Sequence, residues 1–176
     1  MTNGQIQNFF TLLGLPESCN VDEALLERNY RQLLGQWHPD RFATAAPAAR
    51  LAALQHASLL NDAYATLKTP LRRAEYLLQL NGVDILKNNQ AILDGSFLMA
   101  QMEQREELEE LLAGRNQSGL AELLARTREQ QDSIWRAFSA SAEAGRFAAA
   151  LTSFHKLQFL TKLGYEIVAA EDELLD

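Results

Sequence analysis

The sequence predicts an all-α protein with two helical domains, an N-terminal antiparallel helical finger and a C-terminal three-helix bundle. Apolar residues make up 47% of the chain, and they are rich in Leu and Ala but poor in β-branched types, which favours helices over strands. The few Gly and Pro residues cluster at a small number of points, as expected of breaks between helices. Between the breaks, apolar residues recur at spacings of three and four. We expect domains at residues 1–81 and 96–176, joined by an irregular connector at residues 82–95.

Charge is distributed unevenly between the two halves. The chain carries 16 basic and 23 acidic side chains, a net charge of −7. Residues 1–81 contain 7 of each sign, which leaves 9 basic and 16 acidic side chains for residues 82–176. A neutral half and an acidic half lack the basic surface of a nucleic-acid-binding protein. We therefore expect no nucleic-acid partner, and any charged partner of the second half should be basic.

Membrane, secreted and metal-binding classes are also disfavoured. The chain has no run of about 18 uncharged apolar residues, the length that can cross a membrane. Residues 1–10 carry no Lys or Arg and no long apolar run, so neither a secretory nor a transit signal is indicated. The single cysteine, Cys19, excludes an internal disulfide and a cysteine-based zinc site. We expect a cytoplasmic protein with no metal and no cofactor, in which Cys19 is buried or incidental.

The first domain is predicted to begin with a short helix and a longer one. Residues 8–13 form the short helix, which Gly14 ends. Residues 21–37 form the longer one, and Asn20 with Glu23 resembles a capping box at its start. Its apolar residues form one stripe at spacings of four, three and four: Leu26, Tyr30, Leu33 and Trp37.

A proline ends this helix at a polar tip. Pro39 lacks a backbone N–H and pushes His38 out of helical geometry, so His38-Pro39-Asp40 begins a loop, with Arg41 beside it. A third helix over residues 48–68 presents a narrow seam that can pair antiparallel with the second; the seam consists of Ala53, Ala57, Leu60, Tyr64 and Leu67. Thr69 and Pro70 then open a short fourth helix that runs to Leu80.

Three longer helices make up the predicted second domain, over residues 96–113, 119–140 and about 145–174. Short connections make neighbouring helices antiparallel, which predicts a three-helix bundle. One side of the last helix is expected to include Phe147, Leu151, Phe154 and Tyr165. We expect His155 on that helix to be solvated or partly packed, and not a metal ligand.

The first helix of the bundle carries apolar residues on the wrong side for a core. Its core arc is expected to hold Phe97, Leu108, Leu111 and Leu112. The outer patch lies on the opposite side, and Phe159 of the last helix could extend it; it consists of Leu98, Met99, Met102, Glu103, Glu106, Glu110 and Phe159. Exposed apolar side chains rimmed by carboxylates are typical of a binding surface, and Met suits an adaptable one. The alternative is that this face packs against the first domain or the connector.

Several segments resemble a known family. Tyr30-Arg31-x-Leu33 through Trp37-His38-Pro39-Asp40-Arg41 resembles the central motif of J-domains, which stimulate ATP hydrolysis by DnaK-type chaperones. Three later segments are similar to HscB, the J-protein of bacterial iron–sulfur cluster biogenesis: Asn61-x-Ala63-Tyr64-x-x-Leu67, Arg73-Ala74-Glu75-Tyr76-Leu77-Leu78, and Phe97-Leu98-Met99 with Arg105-Glu106-Glu107-Leu108. The resemblance covers nearly the whole chain.

The resemblance implies a role for each surface. It implies that a tip surface docks on a DnaK/HscA-type chaperone and stimulates its ATPase; this surface consists of His38, Pro39, Asp40, Arg28, Arg31 and Arg41. It also implies that the outer patch binds the scaffold protein IscU, in the bacterial cytoplasm. The chain departs from a typical J-domain at Gln32, Gly35 and Gln36, where Lys or Arg is common. The docking face therefore carries fewer positive charges, which suggests a dedicated partner.

Two other functions compete with this interpretation. A general J-protein for unfolded clients would need a broad uncharged apolar patch, and the acidic rim argues against it. An enzyme using His38 with Asp40 as an acid–base pair would need a nucleophile and a third, orienting group, neither of which the sequence identifies.

Overall fold

The computed structural model describes residues 8–85 and 93–175, with Pro39 described by its backbone, and the chain divides into two compact units between Gly82 and Val83. Every regular element in these ranges is helical, which confirms the all-α prediction. The elements are α1 (Phe9–Leu12), α2 (Glu23–Trp37), a 3-10 turn (Pro39–Phe42), α3 (Pro47–Lys68), α4 (Pro70–Leu80), α5 (Gly95–Ala113), α6 (Gln117–Glu143) and α7 (Phe147–Leu175).

The first unit is built on α2 and α3. Trp37 stacks on His56 with ring centroids 4.0 Å apart, and Tyr30 stacks on Tyr64 at 4.1 Å. Residue numbers fall along α2 as they rise along α3, so the two helices are antiparallel, as the finger prediction requires. The largest fully buried side chains of this unit are Phe10, Leu13, Leu26, Leu60, Leu67 and Leu78.

Polar side chains fix the helix ends of the first unit. The side chain of Asp22, not Asn20, accepts the backbone N–H of Leu25 at 3.0 Å, so α2 starts two residues later than the predicted capping box. Both residues are good acceptors, and the sequence alone does not distinguish Asn20 from Asp22 as the capping residue. The buried Arg73 of α4 donates from Nη1 to the Leu67 carbonyl at 2.6 Å and so caps the end of α3.

The second unit is a three-helix bundle, as predicted. Gln104 bonds to Gln130 and Glu107 to Arg126, so α5 and α6 run antiparallel. Asp94 meets Lys156, and Arg105 meets Glu166, so α5 and α7 run parallel. The buried core contains Leu120, Leu123, Leu124, Leu163, Ile167, Ala170 and Leu174, against which Leu108, Leu111 and Leu112 of α5 pack.

Two expectations for α7 were wrong in part. Tyr165 was expected on the side of Phe154, and eleven residues do place it about 20° from Phe154 around the helix, but unlike the buried Phe154 it is 73% exposed. It lies about 160° around the helix from Leu163, which points into the core, because two residues advance a helix by about 200°. His155 is buried, more deeply than expected, and its Nδ1 lies 3.1 Å from Gln158 Oε1.

The predicted connector at residues 82–95 lies partly outside the described residues, since 86–92 are not described. Its exact extent therefore stays a prediction. On its described flanks, Ile85 is buried and Leu93 is half-buried. Among residues 8–85 and 93–175, no helix combines the length and apolarity that membrane crossing needs.

Candidate functional site

The loop at the end of the finger is held by an aromatic stack. Trp37 is the last residue of α2, and its ring stacks on His56 of α3 and on Phe42, whose centroid is 6.0 Å away at an interplanar angle of 6°. Pro39 occupies the first position of the 3-10 turn, where its missing N–H costs nothing. The His-Pro-Asp segment therefore lies in the chain between Trp37 and Phe42, whose rings are stacked on each other.

His38 and Asp40 lie at the surface of this loop. His38 has extended backbone geometry, and its Nδ1 accepts the backbone N–H of Asp40 at 3.4 Å. The Asp40 carboxylate lies 3.5 Å from the same nitrogen, and its side chain is 89% exposed. Both side chains are thus available to an incoming protein, and Asp40 can accept charge-assisted hydrogen bonds from a partner's arginine.

The three arginines of the tip surface share one side of α2. Arg28 and Arg31 are exposed and fall about 60° apart around the helix. Arg41 reaches back from the 3-10 turn, and its Nη1 donates to the Gly35 carbonyl at 2.9 Å. Gly35 lies two turns after Arg28, so this bond places the third guanidinium near the same side. The bond also satisfies a carbonyl in the last turn of α2, where a cation is favourable.

The apolar members of the outer patch are exposed on the second unit. Met99 is 64% and Met102 is 63% exposed, with Leu98 at 41% and Phe159 at 38%. The three carboxylates of the patch, Glu103, Glu106 and Glu110, are exposed as well. Large apolar side chains normally seek burial, so four of them beside three charges form a feature that the bundle itself does not require.

Contacts between α5 and α7 hold the apolar side of the outer patch. The Phe159 ring meets the Phe97 ring edge-on at 6.3 Å and 82°. Leu98 precedes Arg105 by seven residues and so lies on nearly the same side of α5, the side from which Arg105 reaches Glu166 of α7 at 3.5 Å. Leu98 and Phe159 therefore lie along the line where the two helices meet.

A polar network at the start of α5 supports Phe97. Asp94 caps the helix by accepting the Phe97 N–H at 2.8 Å, and it also pairs with Lys156 of α7 at 2.6 Å. Lys156 Nζ lies 5.0 Å from the centre of the Phe97 ring, within cation–π range. The hydrogen bond from Lys156, together with those from Ser96 and the Phe97 N–H, holds the pKa of Asp94 well below its usual value.

Sequence reasoning missed three contacts that shape these surfaces. It did not identify the Asp94 network, although an Asp followed by a helical pattern is an N-cap signal. It also missed the pairing of Arg31 with Glu27 at 2.6 Å, which the i, i+4 spacing could have indicated. The hydrogen bond from Arg41 to Gly35 depends on the path of the loop, and no sequence pattern predicts it.

Neither surface resembles a metal or catalytic centre. Within residues 8–85 and 93–175, no three His, Cys, Asp or Glu side chains are grouped to hold a metal ion. His38 and Asp40 face solvent, whereas acid–base catalysis gains most from groups held in a water-excluded site. The arrangement at the tip is suited to contact with another protein.

Comparison with known proteins assigns the family. Residues 8–76 match the DnaJ domain, and residues 93–168 match the HSCB C-terminal oligomerisation domain. The co-chaperone protein HscB homolog of Cupriavidus taiwanensis is 43% identical over 169 residues, which cover 96% of this chain and 96% of that protein. The chain belongs to the HscB family of co-chaperones.

Solved HscB structures have the same fold. Chaperone HscB from Vibrio cholerae superposes with a TM-score of 0.85 at 40% identity, covering 96% of this chain and 99% of that one. The human co-chaperone protein HscB gives a TM-score of 0.87 at 28% identity, covering 96% and 84%. The first unit is accordingly a J-domain, and the matched relative is a co-chaperone rather than an enzyme.

Proposed function

We propose that this HscB family member binds an IscU-type scaffold protein through the outer patch and stimulates the ATPase of an HscA-type chaperone through the tip surface. It would thereby deliver the scaffold to the chaperone during iron–sulfur cluster assembly in the bacterial cytoplasm. The observation that carries the proposal is that two exposed surfaces of different chemistry belong to two separate compact units. Each unit can then contact a different partner.

The tip surface supports the chaperone half of the proposal. His38, Asp40 and the three arginines offer an imidazole, a carboxylate and guanidinium groups at the end of a rigid helical pair. Guanidinium groups bind carboxylates through paired hydrogen bonds, so this side of α2 suits an acidic protein surface. Contacts of Trp37 and Arg41 with the helices hold the loop in place. The loop therefore loses less entropy when a partner binds it.

The outer patch supports the scaffold half. Its centre is apolar and its rim is acidic, which is the usual arrangement of a protein interface. The carboxylates favour a client with a basic surface, and they disfavour indiscriminate binding of unfolded chains because charged groups would have to be desolvated. A dedicated folded client therefore fits this patch better than a general one.

Joining both surfaces in one chain supports delivery. A client bound to the second unit is held near whichever chaperone the first unit contacts, so its effective concentration at that chaperone rises. Stimulation of hydrolysis is then coupled to client capture because one chain binds both partners.

Substitution of His38 tests the chaperone half. We expect His38→Gln to leave the fold and scaffold binding intact but to abolish stimulation, because the exposed imidazole contributes to the partner contact and not to the core. The measurement is the steady-state ATPase rate of the cognate chaperone, with and without the protein and the scaffold. A His38→Gln variant that stimulates as well as the wild type would refute the role of the tip surface.

Truncation of the outer patch tests the scaffold half. We expect Met99→Ala with Phe159→Ala to weaken scaffold binding by about 2 kcal/mol or more, as for central apolar interface residues. Tyr165→Ala is the matched control, since Tyr165 is an exposed aromatic residue of α7 outside the patch. Titration calorimetry with the scaffold should separate the two variants, and equal affinities would remove the patch from the interface.

A further inference from the structure

Arg31 of the tip surface is already paired within the chain. Its Nη2 lies 2.6 Å from Glu27 Oε1, one helical turn earlier, with the Arg31 side chain 75% exposed. A carboxylate four residues before a cation is the favourable order on a helix. The side of α2 that carries Arg28 and Arg31 is thus bordered by one negative charge.

A second helix holds the Glu27 carboxylate in place. The Tyr64 hydroxyl of α3 donates to Glu27 Oε2, and Lys68 Nζ donates to the Tyr64 oxygen at 2.9 Å. The Tyr64 ring is stacked on Tyr30, which limits its movement. The hydrogen bond from Tyr64 is the largest cause of a lowered Glu27 pKa, to which Arg31 adds, so the carboxylate stays ionised at neutral pH.

An anchored carboxylate differs from an ordinary surface partner of arginine. An exposed ion pair contributes little, largely because two long side chains must be ordered to form it. Here Tyr64 has already ordered Glu27, so only Arg31 has to be held. A carboxylate on an incoming protein must displace Glu27 from Arg31, and it must also approach the Glu27 charge.

We propose that Glu27, positioned by Tyr64, is a specificity-determining residue of the tip surface. It weakens docking on any uniformly acidic surface, and it favours a chaperone that presents a hydrogen-bond donor or a cation opposite Glu27. This inference rests on the proposed function, because it concerns the choice among chaperones that the tip surface stimulates.

A double-mutant cycle tests the proposal. The concentration of protein that gives half-maximal ATPase stimulation is measured for the cognate chaperone and for a general DnaK-type chaperone. We expect Glu27→Gln to lower this concentration about two- to fivefold for the general chaperone, the range that exposed ion-pair energies correspond to. For the cognate chaperone the value should stay the same or rise. In an Arg31→Gln background the effect of Glu27→Gln on the general chaperone should shrink, because the competition for Arg31 is gone and only the repulsion by the Glu27 charge remains.

Two tyrosine variants provide a matched comparison. Tyr64→Phe removes the hydroxyl that holds Glu27, and we expect a shift in the same direction as Glu27→Gln but smaller. Tyr30→Phe removes a hydroxyl that donates to Asn61 Oδ1 at 2.8 Å instead, and it should leave the preference unchanged. Both variants keep the stacked rings, so circular dichroism should report an unaltered fold.

The failures of the two proposals can be distinguished. If the wild-type protein stimulates neither chaperone, the proposed function itself is wrong. If the wild-type protein stimulates and Arg31→Gln weakens stimulation, but Glu27→Gln changes neither chaperone or shifts both equally, the role assigned to Glu27 is overturned. A Tyr30→Phe shift equal to that of Tyr64→Phe would likewise overturn the positioning role of Tyr64.

Discussion

Asp94 links a helix start to the outer patch through a few polar contacts. It accepts hydrogen bonds from Ser96 Oγ at 2.6 Å and from the Phe97 N–H at 2.8 Å, and it pairs with Lys156. Lys156 in turn lies over the Phe97 ring, on which Phe159 packs. The exposed Phe159 is therefore oriented by residues that lie outside the outer patch.

The lowered pKa of Asp94 makes a pH-dependent prediction. The hydrogen bonds of the folded state favour the ionised form of Asp94, so Asp94 stabilises the fold above its unfolded pKa of about 3.9. This stabilisation is lost as the pH falls toward the lower pKa that Asp94 has in the folded state. Between pH 7 and pH 3, the wild type should lose more free energy of unfolding than Asp94→Asn. Urea unfolding followed by circular dichroism measures this difference, and parallel losses would contradict it.

At the residue scale, the sequence predicted which side chains are exposed better than it predicted which side chains are in contact. The helical period placed Met99 and Met102 away from the core arc, and both are well exposed. The same reasoning failed for Tyr165, because α7 is buried on several sides near Phe154 but on one side farther along. Glu27 and Tyr64 lie on two different helices. The apolar period of each helix does not specify how the two helices are rotated relative to each other, so the sequence could not predict this contact.

At the scale of elements, two glycines of the first unit differ in what they do. Gly14 ends α1 with φ of +64°, a conformation that L side chains rarely adopt, and an added Cβ would lie 3.4 Å from Asn29 Nδ2. Gly35 lies within α2, and an added Cβ there would meet no atom within 4 Å. The backbone conformation at Gly14 requires a glycine, whereas Gly35 only weakens its helix.

Alanine substitutions should therefore have opposite effects at these two positions. Gly14→Ala is expected to lower the free energy of unfolding by about 1 kcal/mol through backbone strain. Gly35→Ala should raise it by about 0.5 kcal/mol, since Ala loses less entropy in a helix. Urea denaturation of both variants beside the wild type measures the two shifts, and shifts of the same sign would contradict the assignment.

Helix positions were predictable because breaks and period agree along the chain. Residues 48–68 were expected as a helix, and α3 spans Pro47–Lys68. The start of α2 was misplaced by two residues, because Asn20 and Asp22 are equivalent acceptors until the path of the preceding loop is known. Helix boundaries depend on such local competition, whereas the interior of a helix depends on a repeated pattern.

At the scale of the whole molecule, the family was predictable because its motifs are distributed through both units. The His-Pro-Asp segment lies in the J-domain, and Phe97-Leu98-Met99 lies within the matched HSCB C-terminal region. Under the proposed function the two units must belong to one chain, since neither surface alone would link a client to ATP hydrolysis. That linkage is the central claim of the proposed function.

A mixing experiment with the chaperone and its scaffold tests this linkage most directly. The His38→Gln variant keeps the outer patch, and the Met99→Ala, Phe159→Ala variant keeps the tip surface. The steady-state ATPase rate of the cognate chaperone with scaffold is measured with the wild type, with each variant, and with both variants together. We predict that the mixture gives no more scaffold-dependent stimulation than the patch variant alone; recovery of the wild-type rate would contradict the account.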